Sequence, residues 1–183
     1  MYKNIHDVTL ESLKKHATLI HYFGLGFIQI KLGPKYRIHF YTEELPAIVD
    51  DEDVHNHRYD FTSHVFAGEF TQDIYMITNG DTHELEQESC KEGVESHEPG
   101  KPCSIKKIMS QTFATGSSYH IDHSVFHTVT AKNAITFLER GPVKKELAEV
   151  VRKKDVLKVC PFSNKVPEDE LWNIVEKILR EKH

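Results

Sequence analysis

The chain has 183 residues, 39% hydrophobic and 28% charged, with a formal net charge of −5 when histidine is neutral. That length suits one domain with a sizeable core, and the composition excludes a disordered chain. The acidic balance argues against a partner bound through its nucleic-acid backbone, which demands concentrated Lys and Arg.

Histidine is the unusual component, at 13 residues, and its clustering carries more information than its number. The three cysteines, Cys90, Cys103 and Cys160, form no regular framework. The N-terminus carries no apolar run of signal-peptide length, and no segment is long and apolar enough to cross a membrane. The expectation is therefore a cytoplasmic protein with reduced thiols, no membrane partner and no nucleic-acid partner.

Taken in order, residues from about Asp7 to Phe23 read as a helix, with Leu10, Leu13, Ala17 and Ile20 at three- and four-residue spacing and Gly24 as a stop. Gly26 to Leu32 and Tyr36 to Tyr41 read as strands divided by the Gly33-Pro34 turn. The acidic run Asp50-Asp51-Glu52-Asp53 reads as a solvated loop. Gly68-Glu69 reads as a turn into a strand that runs to Thr78 and is broken at Asn79-Gly80-Asp81. From there to about Lys101 the chain is polar and turn-rich, a long excursion between strands. It holds Cys90 and His97, with Cys103 just beyond, but lacks the close Cys-x-x-Cys pair of a structural zinc site.

Strands are expected again at Ser104 to Phe113, Tyr119 to Ile121, Val125 to Thr130 and Ala134 to Arg140, the last ended by Gly141-Pro142. Lys144 to Val151 fits either strand or helix. The tail, 167–182, is an amphipathic helix: Leu171, Ile174, Val175, Ile178 and Leu179 share a face, with acids at its start and bases toward its end.

Two histidine clusters stand out. In Val54-His55-Asn56-His57, the two imidazoles leave one face if the segment is a strand. Far downstream lies Tyr119-His120-Ile121-Asp122-His123-Ser124-Val125-Phe126-His127. Strand-borne imidazoles from separate segments are what a divalent ion requires. His55 and His57 are candidate metal ligands, and the downstream cluster offers His127, His123 and His120 for a third. Asp60, Ser63 and Thr128 are candidates to hold the second ring nitrogens, and Asp60 and His123 are expected just outside the ligands. Arg37, Tyr59, His64, Tyr119 and Arg140 are candidates to line a substrate pocket, and Tyr75 is a further one.

The strand order, His55-Asn56-His57 followed by Gly68-Glu69, and the later His127 resemble the two motifs of the cupin superfamily, over roughly Phe27 to Pro142. The resemblance implies a mainly β fold, a double-stranded β-helix or jelly-roll barrel, here flanked by N- and C-terminal helices in a single domain of 1–183. Its parts would be an N-terminal helix in 1–24, a barrel in 25–142 and a C-terminal extension in 143–183. The glutamate of the first cupin motif falls at Phe61 or Thr62, which leaves three histidines. That resembles the thiol dioxygenase branch, in which three histidines hold ferrous iron. The segment His55-Asn56-His57-Arg58-Tyr59-Asp60-Phe61 with the late Gly141-Pro142 also looks like a group of bacterial and phage cupins.

The resemblance implies a mononuclear non-haem oxygenase acting on a small molecule. Iron is the expected metal, with Ni, Zn or Mn as alternatives, and a homodimer is the expected assembly. Two other functions fit the same fold: a non-catalytic cupin that binds a metal or ligand, and a sugar or nucleotide-sugar isomerase or epimerase.

Overall fold

The computed structural model describes residues 2–45, 47, 54–88, 100–154 and 165–182. The acidic run at 50–53, Cys90, His97 and Cys160 lie outside them.

A short 3-10 turn, Ile5–Asp7, precedes helix α1, Leu10–His16. Thr9 caps α1 by accepting from the Ser12 backbone N–H, as a β-region hydroxyl residue does at a helix start. The helix expected to reach Phe23 stops here. Leu19–Phe23 is instead strand β1, paired antiparallel with β2, Phe27–Leu32. The apolar residues Ile20 and Tyr22 suit either period in isolation, and pairing with β2 decides for the strand.

Strand β3, Tyr36–Tyr41, continues the meander. A two-residue strand, β4, holds Val54–His55. Strand β5 spans Tyr59–Glu88, β6 Lys101–Ala114, β7 Ser118–Ile121, β8 Phe126–Val143 and β9 Ala148–Lys153. Helix α2, Glu168–Lys182, ends the chain. The fold is mainly β, and the described residues form nine strands in one antiparallel sheet.

Four expected breaks are absent. Gly68 is not a turn but an irregularity inside β5, with φ +73°. Opposite it, Asn133 has φ 51° and adds a residue to β8, so the two expected strands around it are one. β8 also runs through Gly141-Pro142 to Val143. The break at Asn79-Gly80-Asp81 is a register shift between Thr78 and His83, after which β5 continues to Glu88.

β5 and β8 pair from Tyr59↔Val143 to Tyr75↔Phe126 and form the spine. β8 then pairs with β4, β4 with β9, and β9 with the far end of β5. The pairings thus trace a closed circuit, β5–β8–β4–β9–β5.

The sheet has two chemically different faces. On one, Ile28, Ile30, Ile38, Phe40, Ile135 and Phe137 pack with Leu13 of α1 and Leu171, Trp172 and Val175 of α2. On the alternate positions of the same strands stand Gln29 and Lys31, Arg37 and His39, Thr136 and Arg140. The helices cover the apolar face, so the polar residues line the other.

Candidate metal centre

β4 sets His55 directly opposite His127 of β8. His57 lies beyond the end of β4, so its position is not fixed by strand pairing. Asn56 holds it instead. Its backbone N–H donates to Glu149 O at 3.0 Å, and its side-chain amide donates to Glu149 Oε2 at 2.7 Å. Its Oδ1 accepts from Lys145 Nζ at 2.7 Å and from the Glu149 N–H at 2.8 Å. The middle residue of His-x-His is thus 2% exposed and locked onto β9, while its two neighbours turn the other way.

The three imidazoles meet. Ring centroids are 5.0 Å apart for His55–His57, 4.9 Å for His55–His127 and 5.0 Å for His57–His127. One nitrogen from each ring lies within 4.8 Å of the other two, and the Nε2 atoms of His57 and His127 are 3.3 Å apart. Donors about 2.1 Å from a first-row ion stand about 3.0 Å apart at a right angle and about 3.4 Å at the tetrahedral angle. The observed spacing falls between. A neutral Nε2–H of one ring donating to the other would account for this pair alone. The third nitrogen, from His55, lies within 4.8 Å of both. The donor set fits a divalent ion.

The rings are electrostatically prepared for that role. Burial, then the neighbouring His55, lowers the His127 pKa to about 3. Burial, then the neighbouring His55, His127 and Arg37, push that of His57 well below its ordinary value. Both are neutral, as ligation requires. His127 Nδ1 faces Val125 O at 3.4 Å, which assigns that nitrogen the proton and leaves Nε2 its lone pair.

Asp60, Ser63 and Thr128 do not support the ligands as expected. Asp60 Oδ1 accepts from the backbone N–H of His123 at 2.9 Å and pairs with its Nδ1 at 2.8 Å. The expected outer residues therefore bind each other rather than the triad, with Asp122 joining them in a second His–carboxylate group. The adjacent Phe61 lies on the opposite side of β5 from Asp60, against His57. Ser63 hydrogen-bonds the Tyr119 hydroxyl, and Thr128 alternates away from His127 along β8.

The expected pocket residues divide. His64 bonds Ser118 Oγ through Nδ1 at 2.7 Å and lies by Phe137, toward the apolar face and away from the triad. His120 bonds Thr62. Tyr75 stands under Lys107. Phe61 and Tyr59 flank His57, with centroids 4.9 and 5.8 Å away. Tyr119 packs on Phe61, Phe70 and Phe113, its phenol pushed up to about 12 by burial. Arg140 and Arg37 lie over the Tyr59 ring at 4.2 and 5.3 Å. Cys103 is buried beside Val54 and Val151 and serves as packing.

Sequence reasoning missed Asn56, Glu149, Lys31, Gln29 and His39. The last three had a signal: a polar residue at every second position of β2 and β3, where the intervening residues are aliphatic or aromatic.

No protein-family model matches the chain, and no curated protein matches it. A solved structure titled as the X-ray structure of E. coli ycfD is similar at 12% identity with a TM-score of 0.34, covering 80% of this chain and 39% of that one. The chain therefore spans well under half the length of that protein.

Proposed function

We propose that the chain is a cupin-type, mononuclear metal-dependent oxygenase acting on a small molecule, with His55, His57 and His127 as the ligands. The observation that carries this reading is the convergence of three imidazoles from two distant segments, two of their nitrogens 3.3 Å apart. The closed circuit of strand pairings around the triad agrees with a jelly-roll frame.

His55, His57 and His127 would hold the ion, and ferrous iron there would supply activation of oxygen beside a substrate. The protein's part is placement. Asn56 fixes the first two ligands, Val125 O fixes the tautomer of the third, and Phe61 and Tyr59 wall the triad against water. Arg37 and Arg140, set behind Tyr59, orient what enters.

Metal analysis of the purified protein, followed by oxygen uptake of the iron-loaded form with a panel of small thiols and organic acids, tests the proposal. Iron content near one per chain with substrate-dependent uptake is expected. Iron-loaded protein that consumes no oxygen with any member of the panel contradicts it.

A further inference from the structure

Lys31, Arg37 and Arg140 are three cations on one sheet face. Lys31 and Arg37 are directly opposed across β2 and β3, which puts their side chains on the same side. Arg140 follows two residues after Leu138, the β8 partner of Arg37. Both guanidiniums lie over the one ring of Tyr59, at 5.3 and 4.2 Å, and Tyr59 flanks His57.

Several other cations of the fold are paired. Lys35 meets Glu139, Lys145 meets Glu149, Arg152 meets Glu86 and Lys177 meets Glu44. Among the described residues, no carboxylate comes within ion-pairing distance of Lys31, Arg37 or Arg140. The cations repel one another, and their mutual field lowers the pKa of Lys31 after burial does so. The adjoining row of the same face is also unsatisfied. Gln29 and His39, opposed in the β2–β3 register, are 3% and 9% exposed, yet Gln29 Oε1 and His39 Nε2 find no hydrogen-bond partner. A fold that buries polar atoms normally satisfies them, so these groups are arranged for something that enters.

We infer that this face is the binding site for a small organic anion with at least two negative charges, a phosphate monoester or a dicarboxylate. Its anionic oxygens are gripped by Arg37, Arg140 and Lys31, and its polar body lies along Gln29 and His39. A single carboxylate would leave most of the local positive charge unanswered, more so beside a divalent ion. Planar guanidiniums suit oxygens presented in pairs. The inference rests on the proposed metal centre only for where the reacting end of the ligand lies.

Titration calorimetry on the full chain at fixed ionic strength tests it, with inorganic phosphate and succinate as dianions and acetate as monoanion. One or both dianions are expected to bind at least tenfold more tightly than acetate, and which of them does so tells phosphate from dicarboxylate. Arg37→Gln and Arg140→Gln should each weaken that binding tenfold or more, whereas Lys35→Gln, whose partner is Glu139 on the outer side, leaves it unchanged. Should either arginine variant fail to fold, Lys31→Gln on the partly exposed rim carries the test, with a several-fold loss expected.

Equal affinity for acetate, or arginine variants that bind as the wild type does, overturns the inference. His57→Ala separates it from the metal reading. Dianion binding retained without metal upholds the anion site on its own. Its loss in that variant, with the fold intact, assigns the anion to the ion instead and sinks the proposal. Wild-type protein that holds metal but no dianion also sinks it and leaves the metal centre standing.

Discussion

Nε2 of His57 faces Nε2 of His127 across 3.3 Å, although the two stand 70 positions apart in the chain. Two partly screened neutral rings gain little from that contact, whereas a shared cation gains from both. Replacing either ring by alanine should remove a ligand while leaving the helix-covered core intact, since that apolar cluster lies on the opposite sheet face. Both His57→Ala and His127→Ala are expected to lose metal under dialysis that leaves the wild type loaded, with circular dichroism unchanged. Elemental analysis reads the result, and full metal retention in either variant would falsify the ligand assignment.

That convergence was half legible in the sequence. The spacing of His55 and His57 announces a shared direction, and His127 is one of three downstream candidates. What excludes His123 is its bond to Asp60 on another strand, and what excludes His120 is Thr62; neither contact has a local signature. The meander β2–β3 and helix α2 were legible because their periods are unambiguous over their whole length. β1 was not, because Leu10, Leu13, Ala17 and Ile20 keep helical spacing through the point where pairing with Lys31, Ile30 and Gln29 takes over. Gly68 reads as a turn and residues 131–133 as a gap between strands, and only the pairing of β5 with β8 shows an irregularity there that lets both strands run on.

Asn56 is the positioning residue for the first two ligands. It makes four hydrogen bonds to Glu149 and Lys145 from a buried site. Asn56→Ala deletes the side-chain partners and is expected to cost about 1–3 kcal/mol of stability. It should also weaken metal affinity about tenfold or more, as outer-shell losses do. Urea denaturation and competition with a chromophoric chelator measure the two effects separately. A loss of stability with unchanged metal affinity would show that Asn56 braces β9 and not the ligands.

His39 makes the acid sensitivity of the fold testable away from the ligands. Burial first, then the charges of Arg37 and His21, lower its pKa to about 3. The unfolded chain therefore binds the proton that the folded one refuses. Stability from this group is complete above the unfolded value of about 6.5, declines as the pH falls below it, and is gone below about 3. Within that window each such imidazole contributes a slope of about 1.4 kcal/mol per pH unit. His39→Gln should remove one such slope from metal-free protein titrated with urea between about pH 6 and pH 4. An unaltered slope would mean that His39 accepts its proton in the folded state.

Gly68 tests the spine itself. Its φ of +73° is a conformation that an L side chain rarely adopts, and a Cβ placed there would stand 2.7 Å from Asn133 O and 3.0 Å from Ala134 Cα. Both contacts are with the backbone of β8, which cannot swing aside as a side-chain tip would. The obstruction lies where β5 and β8 exchange register, between the helix-covered half of the sheet and the half that carries His127. Gly68→Ala is accordingly expected to cost about 1–3 kcal/mol from the strained conformation, with the backbone clash adding to it. Relief requires β8 to move away from β5, and that displaces His127 relative to His57, which sits on a separate segment. The variant should therefore lose metal affinity as well as thermal stability, although residue 68 touches no ligand. Asn133→Gly, which eases the opposing left-handed residue at φ 51° without adding bulk, should keep the metal and melt at or above the wild-type temperature. If Gly68→Ala melts lower but holds its metal as tightly as the wild type, the β5–β8 spine does not set the spacing of the triad.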